Sequence, residues 1–127
     1  PYVVHHGALG SFATAYLPDS VNAVEIADRL AAVDGIMMVI DRAKAVTRFE
    51  LPADRIGDLV IVSNENITIG TSRDRHDLAA LKEPLRSHGG LTEQEVPFLV
   101  NRQIDLPNAP KLRNFDAFHF ASIAASK

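Results

Sequence analysis

The residues best suited to chemistry lie in Leu85-Arg86-Ser87-His88-Gly89-Gly90-Leu91-Thr92-Glu93-Gln94-Glu95-Val96-Pro97. A histidine ahead of paired glycines can serve as a metal ligand or a proton carrier. The glycines let the backbone take positive φ and approach a ligand closely. One imidazole does not make a zinc site, because catalytic zinc takes three protein ligands and a water. If His88 is a ligand, its companions lie outside this chain, for the other histidines do not supply them. His5 and His6 are adjacent on a strand-like run and so point to opposite faces. His76 sits between Arg75 and Asp77, in what reads as a charged surface loop. His119 falls inside a helical pattern with aromatic neighbours and reads as a packed or boundary histidine. Arg73 and Arg75 have the planar fork that suits carboxylate and phosphate oxygens, and are candidates to meet an anionic substrate. The alternative for them is an ordinary solvated charge cluster.

These residues need elements to hold them. Residues 1–6 read as a short strand closed by Gly7, and Ser11 to Leu17 as another, ended by Pro18-Asp19. Asp19 or Ser20 can cap a helix running to about Val33, with Val24, Ala27, Leu30 and Ala31 on its inner face. Asp34-Gly35 stops it. Ile36 to Ile40 and Leu59 to Val62 are continuous apolar runs, the pattern of strands buried on both faces. Between them Asp41 caps a shorter helix to about Arg48, and Asp54, Arg55 and Asp58 form a structural turn. Residues 11–63 therefore read β-α-β-α-β, with helices layered on a sheet. Beyond Gly70 the texture changes: a polar stretch from Thr71 to Asp77, a helical turn within Leu78–Leu85, and then the glycine turn. Val96 to Val100 reads as a strand opened by Pro97, and Asn114 as the cap of a last helix from Phe115 to about Ala125.

The bulk composition narrows the classes of function. The 127 residues can bury the core of one domain of ordinary size. Hydrophobic residues make up 46% and charged ones 23%, as in soluble globular domains. A formal charge of −3 offers no electrostatic footprint for nucleic acid or an anionic membrane. No apolar run reaches transmembrane length. The absence of cysteine excludes disulfides and thiolate metal sites, and fits a reducing, cytoplasmic setting. The chain enters at Pro1 directly into a strand-like run, which suggests a piece of a longer protein.

Three stretches together resemble the C-terminal part of an alkaline-phosphatase-superfamily enzyme. They are Arg55-Ile56-Gly57-Asp58-Leu59-Val60-Ile61-Val62, Ser87-His88-Gly89-Gly90-Leu91 and Arg113-Asn114-Phe115-Asp116. Within that superfamily the run from Arg73 to Pro97 is most similar to the phosphonoacetate hydrolase family. The resemblance implies an α/β fold, with residues 11–70 as a small cap-like unit and residues 71–127 as the C-terminal strands and helix of an alkaline-phosphatase-like core. It also implies a two-zinc hydrolase that splits the carbon–phosphorus bond of phosphonoacetate to acetate and phosphate. His88 would correspond to the late zinc histidine. The threonine nucleophile and the other metal ligands would lie in a missing N-terminal segment, so the chain alone is expected to be inactive.

Two alternatives stay open at this point. One is a phosphodiesterase or nucleotide pyrophosphatase of the same superfamily. The other is an autonomous α/β binding or oligomerisation module, which would self-associate as a homodimer. Bare sheet edges would favour self-association in either case.

Overall fold

Leu59–Ser63 is the strand on which the rest is assembled. All five residues of Leu-Val-Ile-Val-Ser are buried. In the computed structural model this is β3, the centre of a three-stranded sheet with the order β1-β3-β2. The structure describes residues 10–72, 79, 88–101, 103–104 and 111–126. The expected strand at residues 1–6 and, apart from Ala79, the turn of helix within 78–85 lie outside the described residues.

Strand β1, Phe12–Ala15, pairs antiparallel with β3, Phe12 facing Val62 and Ala15 facing Leu59. On the other side β2, Ile36–Asp41, is also antiparallel to β3, with Asp41 facing Leu59 and a register shift between Ile36 and Met38. β1 and β2 are therefore parallel to each other with β3 inserted between them, joined by a helical crossover: a split β-α-β arrangement. The expected β-α-β-α-β order is found. The expectation that Ile36 to Ile40 is buried on both faces is not. β2 lies at the edge of the sheet, its residues are mostly half-buried, and Met37 is 42% exposed. An apolar run alone does not distinguish a central strand from an edge one.

Helix α1, Ala23–Ala31, is capped by Asn22, whose side-chain oxygen accepts from the backbone of Val24 at 3.0 Å and Glu25 at 3.4 Å. Asp19 and Ser20 do not serve as the cap. The chain from Pro18 makes a turn first, closed by the Val21 N–H donating to the Pro18 carbonyl at 3.0 Å. The inner face is also rotated from the one expected. Ala23, Ile26, Ala27 and Leu30 are half-buried, whereas Val24 is 68% exposed and Ala31 is exposed too. Helix α2, Arg42–Phe49, starts as expected at Asp41, whose carboxylate accepts from the Lys44 N–H at 2.8 Å and pairs with the Lys44 ammonium at 2.8 Å. Hydrogen bonding to Lys44 holds the Asp41 carboxyl below the usual carboxylate range and the Lys44 ammonium above its own.

The core lies between the sheet and α2. Ala45, Ile56, Val60 and Val62 form its buried centre, with Phe12, Met38, Ile40, Phe49 and Leu91 packed around it. The Phe12 and Phe49 rings meet edge to face at 5.5 Å. The segment Ile56-Gly57-Asp58 ties the sheet together. The Asp58 carboxylate accepts from Leu17 N–H at 2.7 Å and from the Arg42 guanidinium at 2.7 Å. Its own N–H donates to the Ala15 carbonyl at 2.7 Å. A Cβ on Gly57 would fall 2.5 Å from that same Ala15 oxygen, so no larger residue fits the crossing unaltered. Asp58 is thus a structural residue, as its place in the turn suggested.

The chain divides into two compact units, Pro1–Glu95 and Val96–Lys127. Val96 to Val100 is irregular and exposed rather than a strand. Among the described residues of this unit no neighbouring strand offers it a ladder. The last helix, α3, spans Asp116–Ala125 and is not capped by Asn114. Phe115 already has helical dihedrals, and the first turn is closed by Asp116, whose carboxylate accepts from the Arg113 N–H at 2.6 Å. The Arg113 guanidinium covers the Phe115 ring at 4.3 Å. Phe120 is buried at 3% exposure and packs against Phe98, their ring centroids 5.8 Å apart.

Candidate functional site

The glycine turn is built onto the beginning of β1. The Ser11 N–H donates to the His88 carbonyl at 2.8 Å. Ser11 is itself fixed: its hydroxyl donates to the Ile67 carbonyl at 3.0 Å, and its carbonyl accepts from Ser63 N–H at 3.0 Å. The Ser63 hydroxyl reaches the same Ile67 oxygen at 2.6 Å. One residue earlier, Gly10 bridges to Ile69, whose N–H donates to the Gly10 carbonyl at 2.8 Å. His88 therefore hangs from the end of the sheet, with its backbone held to the rim of β1.

The far side of the turn is held as well. Gly89 takes φ of 78°, whereas Gly90 is extended, so one of the two glycines uses the left-handed region. The Gly90 N–H donates to the Glu93 carboxylate at 2.6 Å across the short 3₁₀ turn Leu91–Glu93. Leu91 then enters the margin of the core. The paired glycines suggested a flexible turn. The backbone is pinned on both sides, and the residue as a whole is exposed. Its ring makes no hydrogen bond to any described residue. The ring edge lies against Gly10: a Cβ built there would sit 2.8 Å from both Nδ1 and Cε1.

The other sequence candidates fall differently. His119 is exposed on α3, its ring 5.6 Å from that of Phe120, so it is not the packed histidine its aromatic neighbours suggested. His5, His6, Arg73, Arg75 and His76 lie outside the described residues. Glu93, in the acidic run after the glycines, fixes the turn. Its spacing of three from Gly90 is that of a capping carboxylate, which could have exposed the role. The contact of Gly10 and Ser11 with His88 had no signal in the sequence, since the residues are far apart along the chain.

As a metal position, His88 fits in kind. The residue is exposed, its ring has no hydrogen-bond partner among the described residues, and neutral imidazole is a common ligand of zinc. It does not fit as a complete site. Among the described residues no group of three or more His, Asp or Glu side chains is placed to hold an ion. Nor does the hollow in the C-terminal unit offer an alternative centre. It is about 370 Å³ in volume and lined by Phe98, Val100, Ile104, Phe120 and Ala124, with Asn101 as its polar neighbour. Among the described residues its lining is mostly apolar and carries no titratable side chain. No helix among the described residues is long and apolar enough to cross a membrane.

No family model matches the chain. A curated relative, phosphonoacetate hydrolase of Penicillium oxalicum, is 60% identical over 30 residues, which make up 23% of this chain and 42% of the relative. Two solved structures match the whole chain. Both are phosphonoacetate hydrolase from Sinorhizobium meliloti 1021, one in complex with phosphonoformate and one with phosphonoacetate. Each has 68% sequence identity and a TM-score of 0.75, and this chain covers 31% of its length. The chain thus spans under half of either relative. Over its whole length, it is a relative of one segment, about a third, of phosphonoacetate hydrolase.

Proposed function

We propose that this chain is the His88-bearing part of a hydrolase that cleaves phosphonoacetate into acetate and phosphate. The supporting observation is 68% identity across the entire chain to a protein solved with phosphonoacetate bound. In the reaction water supplies the new phosphorus–oxygen bond, the carbon–phosphorus bond breaks, and the leaving carbon takes up a proton. His88 would give one ring nitrogen to a zinc ion, completing a set of ligands from elsewhere in the protein. Zinc bound there would clamp the phosphonate oxygens and lower the pKa of the attacking hydroxyl. This chain's own part is to present the imidazole from a rigid rim. Ser11 holds the His88 carbonyl, and Glu93 holds Gly90. Arg73 and Arg75 would bind the anionic ends of the substrate, bidentate contacts being the strength of a guanidinium. Separated from the other ligands and the nucleophile, the chain by itself is expected to release no phosphate.

The test is phosphate release from phosphonoacetate by the complete protein that carries this segment, wild type against His88→Ala. The rate is expected to fall by roughly a hundredfold or more, the scale of losing one electrostatic contact to the transition state, and zinc content to fall with it. Unchanged rate and unchanged zinc in His88→Ala would remove the assignment.

A further inference from the structure

We propose that Gly10 is the seat that positions His88, so that the missing side chain at residue 10 is a requirement of the metal site. This inference rests on the reading of His88 as a metal ligand and extends it to the residue beneath the ring. Three observations converge on Gly10. Its φ is 77°, in the region where an L side chain is strained. A Cβ there would lie 2.5 Å from the His88 carbonyl oxygen and 2.8 Å from Nδ1 and Cε1, closer than non-bonded atoms can pack. And the backbone on both sides is anchored: the Gly10 carbonyl accepts from Ile69 N–H, and the next N–H, that of Ser11, holds the His88 carbonyl.

Any side chain at residue 10 must therefore displace either the end of β1 or the histidine. The end of β1 is tied to β3 and to the 67–69 segment through Ser11, Ser63 and Ile69. The histidine is the group the added atom meets, at its carbonyl oxygen and at its ring, so its position shifts. Gly10 touches no substrate in this scheme. It acts through His88, as a residue behind a metal ligand fixes that ligand's direction.

The experiment uses the complete protein and zinc alone as the probe, with affinity measured by competition with a chromogenic chelator. Gly10→Ala is expected to weaken zinc binding by about 10–100-fold, the usual effect of disturbing the groups that orient a ligand. Gly57→Ala is the steric control. Its Cβ would meet the Ala15 carbonyl oxygen at 2.5 Å, an equal intrusion at the other end of β1. It is expected to lower thermal stability while leaving zinc affinity near wild type. Wild-type zinc affinity in Gly10→Ala, or equal losses in both variants at matched folded fraction, overturns the seat.

The two readings separate in the His88→Ala protein. If that protein keeps all its zinc, the ligand assignment fails whatever Gly10 does. If it loses zinc while Gly10→Ala does not, the seat alone fails. A measurement on the unmutated protein covers the case in which Gly10→Ala does not fold. In metal-free wild type labelled at glycine and histidine, a nuclear Overhauser effect is expected between the Gly10 Hα protons and His88 Hε1. Its absence overturns the contact.

Discussion

The two units of the chain use their apolar residues in opposite ways. In the first, Leu59 to Val62 is buried from end to end, and the apolar side chains of β1, β2 and α2 close over it. In the second, Phe120 is buried while Leu99 is 90% exposed, Phe118 is 79% exposed, and Val96, Val100 and Phe115 are exposed as well. The first unit buries its central apolar residues, though Val24 and Val33 stay exposed, because its strands pair in register and its crossings are set by Gly57 and Asp58. Among its described residues the second has one helix and an irregular run preceding it, and these leave much of their apolar surface uncovered. The candidate ligand, His88, hangs on the rim of the unit that is well packed. A side chain that must point in a fixed direction needs a scaffold that does not move, and β1 and β3 provide it.

That contrast can be broken by mutation. Leu59→Ala, at a position 2% exposed, should cost about 2–5 kcal/mol in urea unfolding followed by sheet-sensitive circular dichroism. A smaller loss would mean that the sheet unit is looser than its burial implies. Asp58→Ala leaves the Leu17 N–H without its acceptor and the Arg42 Nη2 without its carboxylate, and should cost roughly 1–3 kcal/mol in the same measurement. The lower half is expected, because the carboxylate is partly open to solvent and its ion pair is screened. Leu99→Ser in the C-terminal unit should change stability by no more than about 0.5 kcal/mol and reduce binding of a hydrophobic dye. A larger loss would show that Leu99 is covered in solution.

The smallest effect is that of pH on α2. The Asp41 carboxyl is held below its ordinary value of 3.8 by the Lys44 hydrogen bonds, so its contribution is fully present above the unfolded value. It fades as pH falls through the folded one. An acid titration should therefore fray the start of α2 only below about pH 4, and Asp41→Asn should remove that dependence while keeping a cap. Fraying already at neutral pH would exclude the carboxylate as the cause.

Much of the sheet unit was legible in the sequence, because its signals are local. Asp41 before Arg42, the apolar run at 59–62 and the break at Pro52 each state their structure within a few residues. Helix α1 was placed correctly but its cap and inner face were not. Three capping residue types within four positions, Asp19, Ser20 and Asn22, compete there, and the Pro18 turn decides between them. The C-terminal unit was least legible. Val96 to Val100 has the composition of a strand, but a strand exists only where a partner supplies hydrogen bonds. The late histidine stood out because a histidine before two glycines is an uncommon local pattern. The residues that hold it did not.

By itself the sequence determined the element order, the two apolar strand runs, the turn at Asp54, Arg55 and Asp58, and the kinship carried by the motifs at residues 55–62, 87–91 and 113–116. These are properties of neighbouring residues, and neighbouring residues are enough to encode them. Only the tertiary structure decided which strand is central, that the glycine turn is clamped, and that the His88 ring lies on Gly10. Those are contacts between distant parts of the chain, fixed when β1 closes against β3 and brings its first residues under the turn.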